Sequence, residues 1–122
     1  MNTILENYNR DCDSPNEDNG CGYVYFRQYE VFDICKLGIT NSLYQTDMDC
    51  INEFINSEYV LVFEVPIRKM TEIDSEIKYK FHELIVIQER GKYFYNKEIL
   101  DLVEPFLIER GFTYKKLSVV KV

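Results

Sequence analysis

The sequence lacks the long apolar run that a membrane-spanning helix needs. No stretch approaches the roughly 18 to 20 uncharged apolar residues that cross a bilayer. The first residues also lack the basic and then apolar order of a secretion signal, because Glu6 is soon followed by Asp11 and Asp13. We therefore expect an intracellular, cytoplasmic protein that makes no membrane contact.

Histidine and closely spaced cysteines are scarce as well. The only histidine is His82, and no C-x-x-C pair occurs among the cysteines, which are Cys12, Cys21, Cys35 and Cys50. A zinc site of the usual Cys and His type is therefore not expected, and His82 receives no role. We predict reduced thiols, with a Cys12–Cys21 disulfide as the alternative.

Net positive charge is missing too. The formal net charge of −7 argues against the broad electrostatic attraction that gives many DNA-binding proteins their non-specific affinity. The first 20 residues hold five acidic side chains against Arg10, whereas the C-terminal end is basic, with Lys115, Lys116 and Lys121. Any contact with nucleic acid must therefore be local.

The length and organisation of the chain fit one folding unit. The chain has the length of a single domain and contains no repeat or linker. Residues 1–21 are polar and acidic without an apolar period, which predicts a flexible arm. Residues 22–111 form the predicted domain, and residues 112–122 a basic C-terminal strand or tail.

Two alternating segments, residues 22–27 and residues 34–40, predict strands that pair antiparallel across a short connection. We expect the first strand to be half-buried. The residues expected to face inward are Val24, Phe26, Leu37 and Ile39. The residues expected on the opposite face are Tyr23, Tyr25, Arg27, Lys36, Gly38 and Thr40.

Periodicity predicts the remaining elements. A weak helical period covers residues 43–55, an apolar run predicts a third strand at residues 59–65, and a strong helical stripe covers residues 70–85. The fold class is therefore α/β, with a small central antiparallel three-stranded sheet flanked by helices. After a short extended piece at residues 92–95, a last helix is expected.

That last helix has a clear beginning and end. Asn96 is a good N-cap, and Gly111 closes the apolar stripe. Pro105 must kink or split the helix, because an interior proline costs about 3 kcal/mol.

The residue types on the hairpin suit phosphodiester chemistry. A phenol can act as a base when a neighbouring cation lowers its pKa, a carboxylate can hold a divalent metal, and cations stabilise charge that builds on phosphate. A structural interpretation stands beside this one, because tyrosines and lysines are ordinary on a strand face. Glu76 with Lys80 also makes a common i,i+4 pair.

The segments GYVYF and CKLGIT, at their spacing, resemble the paired motif strands of the GIY-YIG nucleases. The strand order, the following helix with a glutamate and the late segment GKYFYN extend the resemblance over residues 22–107. It is closest to the branch in phages and large DNA viruses, where a lysine often replaces the tyrosine of YIG. The resemblance implies an endonuclease that acts on DNA with one Mg²⁺ or Mn²⁺ ion, in the cytoplasm of a virus-infected host.

The resemblance also implies roles for single residues. Tyr25 takes the place of the GIY tyrosine as the base, with Tyr23 as the alternative if the register slips by two. Lys36 takes the place of the YIG tyrosine and would lower the pKa of the Tyr25 phenol. Glu76 would bind the metal. Gly38 would let the substrate approach the strand, or it serves the packing of the strand itself.

Thr40 and Asn96 complete the implied substrate-binding positions, although we favour the N-cap role for Asn96. One residue of the family pattern is missing, because residues 45–47, QTD, stand where the family has an arginine on the first helix. Losing such a phosphate-binding cation can cost on the order of 10³ to 10⁵ in rate. Arg27 is the first candidate substitute and Arg68 the second.

Two functions follow from these observations. The first is a metal-dependent endonuclease, weakened by the missing arginine. The alternative is a catalytically degenerate GIY-YIG scaffold that binds nucleic acid or a protein. A basic patch formed by Lys115, Lys116 and Lys121 would indicate nucleic acid, whereas an apolar patch would indicate a protein partner.

Overall fold

A computed structural model of the chain describes residues 3–5, 21–29, 31–51 and 56–121. The strands in these ranges are β1 (Thr3–Leu5), β2 (Cys21–Tyr29), β3 (Ile34–Thr40), β4 (Ser57–Pro66), β5 (Ile85–Glu89), β6 (Lys92–Asn96), β7 (Lys115–Leu117) and β8 (Val119–Lys121). The α-helices are α1 (Leu43–Ile51), α2 (Met70–Lys80) and α3 (Val103–Arg110), and 3₁₀ helices cover Ile67–Lys69, His82–Leu84 and Lys97–Asp101.

Six strands form one antiparallel sheet in the order β5-β6-β3-β2-β4-β7, and β1 pairs separately with β8. The predicted α/β class and the antiparallel pairing of β2 with β3 are confirmed. The predicted three-stranded sheet is wrong, since β6, β5 and β7 extend it on both sides. These strands have five, five and three residues, too few for a clear alternating pattern.

Helices α2 and α3 cover one face of the sheet, which we call the α2 face. Its core combines side chains of the central strands with those of the two helices: Val24, Phe26, Leu37, Phe63, Ile73, Ile77, Val103, Phe106 and Leu107. The predicted inward direction of Val24, Phe26 and Leu37 is therefore confirmed. Burying each such side chain contributes about 1.5 to 3 kcal/mol.

Helix α1 packs on the opposite face, which we call the α1 face. A second apolar cluster lies there, made of Tyr23, Tyr25, Leu43, Tyr59, Val62 and Leu117. Strand β2 is therefore buried on both faces over most of its length, so the prediction of a half-buried strand is wrong for β2. The cause is α1, which brings Leu43 against the two tyrosines of β2.

Two helix boundaries differ from the prediction. α2 ends at Lys80, and Ile85 begins β5 instead of continuing the helix. The run of β-branched residues in β5 favours a strand, and β5 returns into β6 through Arg90 and Gly91, which have positive φ angles of 53° and 77°. The last helix splits at Leu102, so that Pro105 lies in the first turn of α3, where a missing N–H is tolerated.

Part of the predicted flexible arm is a strand, because Thr3–Leu5 pair with Val119–Lys121. Residues 6–20 lie outside the described residues, as do residues 52–55 of the predicted first helix. Among the described helices, none has both the length and the apolar character needed to cross a membrane.

Candidate functional site

The two motif tyrosines lie side by side on the α1 face, as the alternation in β2 predicts. Both are buried, and the ring of Tyr25 stands edge-on to that of Tyr59, with 5.4 Å between the ring centroids. Tyr23 and Tyr25 also share one apolar cluster with Leu43 of α1. Both phenols therefore pack beneath α1 instead of lining an open cleft.

Gly38 makes room for Tyr25. The two residues are directly opposite in the β2–β3 pairing. A Cβ atom placed on Gly38 would lie 2.3 Å from both Cζ and the hydroxyl oxygen of Tyr25, closer than side-chain contacts allow. The absence of a side chain at Gly38 is thus explained by packing of the tyrosine, without any substrate.

Arg27 is bound within the protein and is only 2% exposed. Its Nε donates to Ser57 Oγ at 2.9 Å, its Nη1 donates to Asp47 Oδ1 at 2.9 Å, and its Nη2 donates to the Ser57 carbonyl. The guanidinium also lies 4.4 Å from the centroid of the Tyr59 ring. Burial lowers the pKa of Arg27, but nearby Cys50, Asp47 and Tyr59 together raise it above its usual value.

Asp47 lies in the helix region where the GIY-YIG resemblance implies an arginine. At this place α1 therefore supplies an anion, Asp47, instead of the implied cation, and the cation that pairs with it, Arg27, lies on β2. Arg27 could contact a phosphate only by leaving Asp47 and Ser57. The second candidate, Arg68, lies exposed in the 3₁₀ helix Ile67–Lys69 and makes no ion pair with the described part of the chain.

Thr40 organises the start of α1. Its hydroxyl donates to the Ser42 carbonyl at 3.1 Å and accepts from the Ser42 N–H at 3.0 Å and from the Thr46 hydroxyl at 2.8 Å. Ser42 in turn accepts the N–H of Gln45 at 3.2 Å, which is the pattern of an N-cap. The hydroxyl of Thr40 is therefore committed to the turn between β3 and α1.

On the α1 face, the buried cluster includes no side chain of β3 or β6. The side chains of Lys36 on β3 and Phe94 on β6 are only partly buried. Lys36 is opposite Phe94 of β6, and Phe94 is opposite Ile87 of β5. Tyr29 lies beside Phe94, with 5.5 Å between ring centroids. We call these four residues, Tyr29, Lys36, Ile87 and Phe94, the open strip. Sequence reasoning singled out only Lys36 of the four.

Glu76 lies on the other side of the sheet. Its helix, α2, packs Ile73 and Ile77 against Val24 and Phe26, which point away from Tyr25. The structure thus does not bring Glu76 together with Tyr25.

The surroundings of Glu76 do not fit the implied metal. Arg110 Nε donates to Glu76 Oε1 at 2.6 Å, so a cation already occupies this carboxylate, and the hydrogen bond raises the pKa of Arg110. The described residues contain no group of three or more His, Cys, Asp or Glu side chains placed to hold a metal ion. Glu76 therefore acts here as the partner of Arg110.

Asn96 is an N-cap, which confirms the favoured interpretation. Its Oδ1 accepts the N–H of Glu98 at 2.9 Å, at the start of the 3₁₀ helix Lys97–Asp101. The basic C-terminal end is partly neutralised, since Lys116 lies 3.6 Å from a Glu104 carboxylate oxygen and Lys115 is opposite Glu64. The side chain of Lys121 lies outside the described residues.

The prediction of reduced thiols is confirmed for Cys35 and Cys50, which are buried and are not part of a disulfide. It is wrong for Cys21, which is disulfide-bonded. Cys12, the partner considered from the sequence, lies outside the described residues. Burial raises the pKa of the Cys35 thiol to about 11, with Asp33 adding to the rise.

Sequence reasoning missed a polar cluster on the α2 face. Asp74 is buried in α2 and pairs with Lys78 at 2.8 Å, while Lys78 lies 4.4 Å from the centroid of the Tyr93 ring. The buried hydroxyl of Tyr95 has no hydrogen-bond partner in the described part of the chain. Burial, with Asp74 and Tyr93 nearby, raises the pKa of Tyr95. No pattern in the sequence indicates that these residues meet.

No family model, curated protein or solved structure matches this chain. The likeness to GIY-YIG nucleases therefore rests on the sequence features alone: the two motif segments, their spacing, the strand order, the helix with its glutamate and the segment GKYFYN.

Proposed function

We propose that the chain is a catalytically degenerate GIY-YIG-like scaffold that binds single-stranded nucleic acid on the open strip and does not cleave it efficiently. The observation that carries the proposal is the division of the expected site between the two faces of the sheet. Tyr25 is buried on the α1 face, and Glu76 is paired with Arg110 on the α2 face.

Loss of catalysis follows from what the expected groups contact. Phosphodiester hydrolysis needs a base, a metal or cation and a charge-stabilising donor at one phosphate. Here Arg27 is buried against Asp47, and the sheet separates the tyrosines from Glu76. The remaining likeness to a nuclease lies in the scaffold.

Binding is supported by the chemistry of the open strip. Single strands bind to sheet surfaces by stacking bases on aromatic rings, while lysines contact the phosphates. Phe94 and Tyr29 supply adjoining rings, and Lys36 stands directly opposite Phe94. Because the chain is acidic overall, we expect a weak, salt-sensitive interaction, with a dissociation constant on the order of 10⁻⁴ to 10⁻⁶ M.

The test is fluorescence anisotropy of a labelled single-stranded oligonucleotide titrated with protein at low and moderate salt. Phe94→Ala should weaken binding by about tenfold, because a base stack contributes about 1 to 3 kcal/mol. The matched control is Tyr79→Ala, which removes a ring that is 85% exposed on α2. Equal effects of the two changes, or no binding by the unaltered protein, would reject the proposal.

Lysine variants measure how much positive charge contributes to the binding of the oligonucleotide. Lys36→Gln should weaken binding. It should also reduce the slope of the logarithm of the binding constant against the logarithm of the salt concentration by about 0.7, because one phosphate contact is lost. Lys80→Gln, an exposed lysine on α2, should change neither quantity.

A further inference from the structure

The open strip continues along β6 on either side of Phe94. Successive side chains of a strand point to opposite faces, so Lys92, two residues before Phe94, lies on the α1 face as well. Lys92 is exposed and makes no ion pair with the described part of the chain. Lys97 follows the last residue of β6, and its side chain is 56% exposed. A lysine therefore stands at each end of this strand.

The length of β6 limits how many nucleotides the strip can hold. From Lys92 to Asn96 the strand advances by about 13 Å, at a rise of about 3.3 Å per residue. Stacked nucleotides advance by about 3.4 Å each, and aromatic rings on a sheet stack about two or three bases. The rings of Phe94 and Tyr29, with the lysines around them, therefore match a segment of about three nucleotides.

An exposed carboxylate accompanies each of the two lysines. Glu89 is directly opposite Lys92 in the β5–β6 pairing, so both lie on the α1 face. Asp33, 80% exposed, lies 3.5 Å from Lys97 at the other end of β6. The repulsion between a carboxylate and a phosphate acts over about 10 Å at about 0.1 M salt. Phosphates that run past either end of β6 therefore meet negative charge, which the net charge of −7 strengthens.

We propose that the open strip selects a short single-stranded oligonucleotide of about three nucleotides and gains no affinity from further phosphates on either side. This inference rests on the proposed function and adds the length of the ligand. The two rings stack the bases, while Lys36 and Lys92 contact the phosphates. The carboxylates of Glu89 and Asp33 oppose a longer strand.

Fluorescence anisotropy with two labelled oligonucleotides tests this selection. The first is a thymidine core of about three bases, and the second carries about three abasic nucleotides on each side of the same core. Because abasic nucleotides supply phosphates without bases, both ligands offer one stacking position. The flanked oligonucleotide should bind no more tightly than the core alone.

The outcomes separate this inference from the proposed function. Flanks that tighten binding by about fivefold or more would overturn the proposed length of the ligand and leave the proposed function intact. No binding of either ligand would reject the proposed function and this inference with it.

Neutralising the carboxylates should remove the selection. Glu89→Gln and Asp33→Asn should each tighten binding of the flanked oligonucleotide by about threefold and that of the core by less. Glu109→Gln, which neutralises an exposed carboxylate on α3, makes the same change in net charge and should alter neither value. Equal effects of Glu89→Gln and Glu109→Gln would show that net charge alone decides, which contradicts the proposal.

A lysine variant tests the position of the bound strand. Lys92→Gln should weaken binding of both oligonucleotides by about threefold, because both cover the centre of the strip. Lys80→Gln, on α2, is the matched control and should weaken neither. Unchanged binding by Lys92→Gln would mean that the strand does not follow β6 and would overturn the proposed length of the ligand.

Discussion

Arg27 of β2 and Asp47 of α1 form an ion pair with 2.9 Å between Nη1 and Oδ1, and the arginine is almost completely buried. This pair ties the first helix to the central strand at the place where the GIY-YIG resemblance implies a phosphate-binding arginine. It therefore explains both how α1 is held and why Arg27 does not replace that arginine.

Removing the anion should destabilise the fold. We expect Asp47→Ala to lower the free energy of unfolding by about 2 kcal/mol, because Arg27 would remain buried without its charged partner. Urea unfolding followed by circular dichroism measures the change. Asp49→Ala, an exposed aspartate on the same helix that contacts Gln45, is the control and should cost less than 0.5 kcal/mol. Similar losses for both variants would show that Arg27 does not depend on Asp47.

Gly38→Ala should also destabilise the protein, by about 1 to 3 kcal/mol, because its new methyl group would overlap the Tyr25 ring. The clash predicts strong coupling between the two positions. In the Tyr25→Ala background, Gly38→Ala should cost much less than in the unaltered protein. Additive losses in this double-mutant cycle would mean that Gly38 is needed for a reason other than the tyrosine.

Tyr95→Phe should stabilise the protein by about 1 kcal/mol, because it removes a buried hydroxyl that has no partner in the described part of the chain. Burial raises the pKa of this tyrosine above its unfolded value. The folded state should therefore lose stability as the pH rises above about 10, where unfolded tyrosine ionises, and the variant should lose less. Tyr93→Phe removes a hydroxyl that Gln88 contacts, and no gain is expected from it.

The Cys35 thiol also makes the stability of the fold depend on pH in the alkaline range. Its folded-state pKa is about 11, against an ordinary value of 9.0. The stability that the thiol contributes is therefore complete below pH 9 and is lost as the pH rises towards 11. The stability advantage of the unaltered protein over Cys35→Ala should therefore shrink between pH 8 and pH 10.5. A constant difference across this range would show that the thiol is not protected from ionisation.

The local features of the fold could be predicted from the sequence, whereas contacts between distant elements could not. Alternation places Val24 and Phe26 on one face and Tyr25 on the other because strand geometry fixes the period. The same reasoning extended α2 to Ile85, because an apolar run fits a helical stripe as well as a strand.

The sequence does not show on which face of the sheet a later helix lies, because packing between distant elements decides this. For that reason Tyr25 and Glu76 were expected together and lie apart. The partners of Arg27 and Glu76 likewise depend on tertiary contacts that residue spacing does not encode. Asn96 was predicted well because a cap is a local feature.

One incubation tests the central claim of binding without cleavage most directly. Labelled single-stranded DNA is mixed with the full chain and Mg²⁺ or Mn²⁺, and the sample is divided between a native gel and a denaturing gel. We predict retarded DNA on the native gel and intact strands on the denaturing gel. Cleavage products that disappear in both Tyr25→Phe and Glu76→Ala would contradict this account and establish a working nuclease.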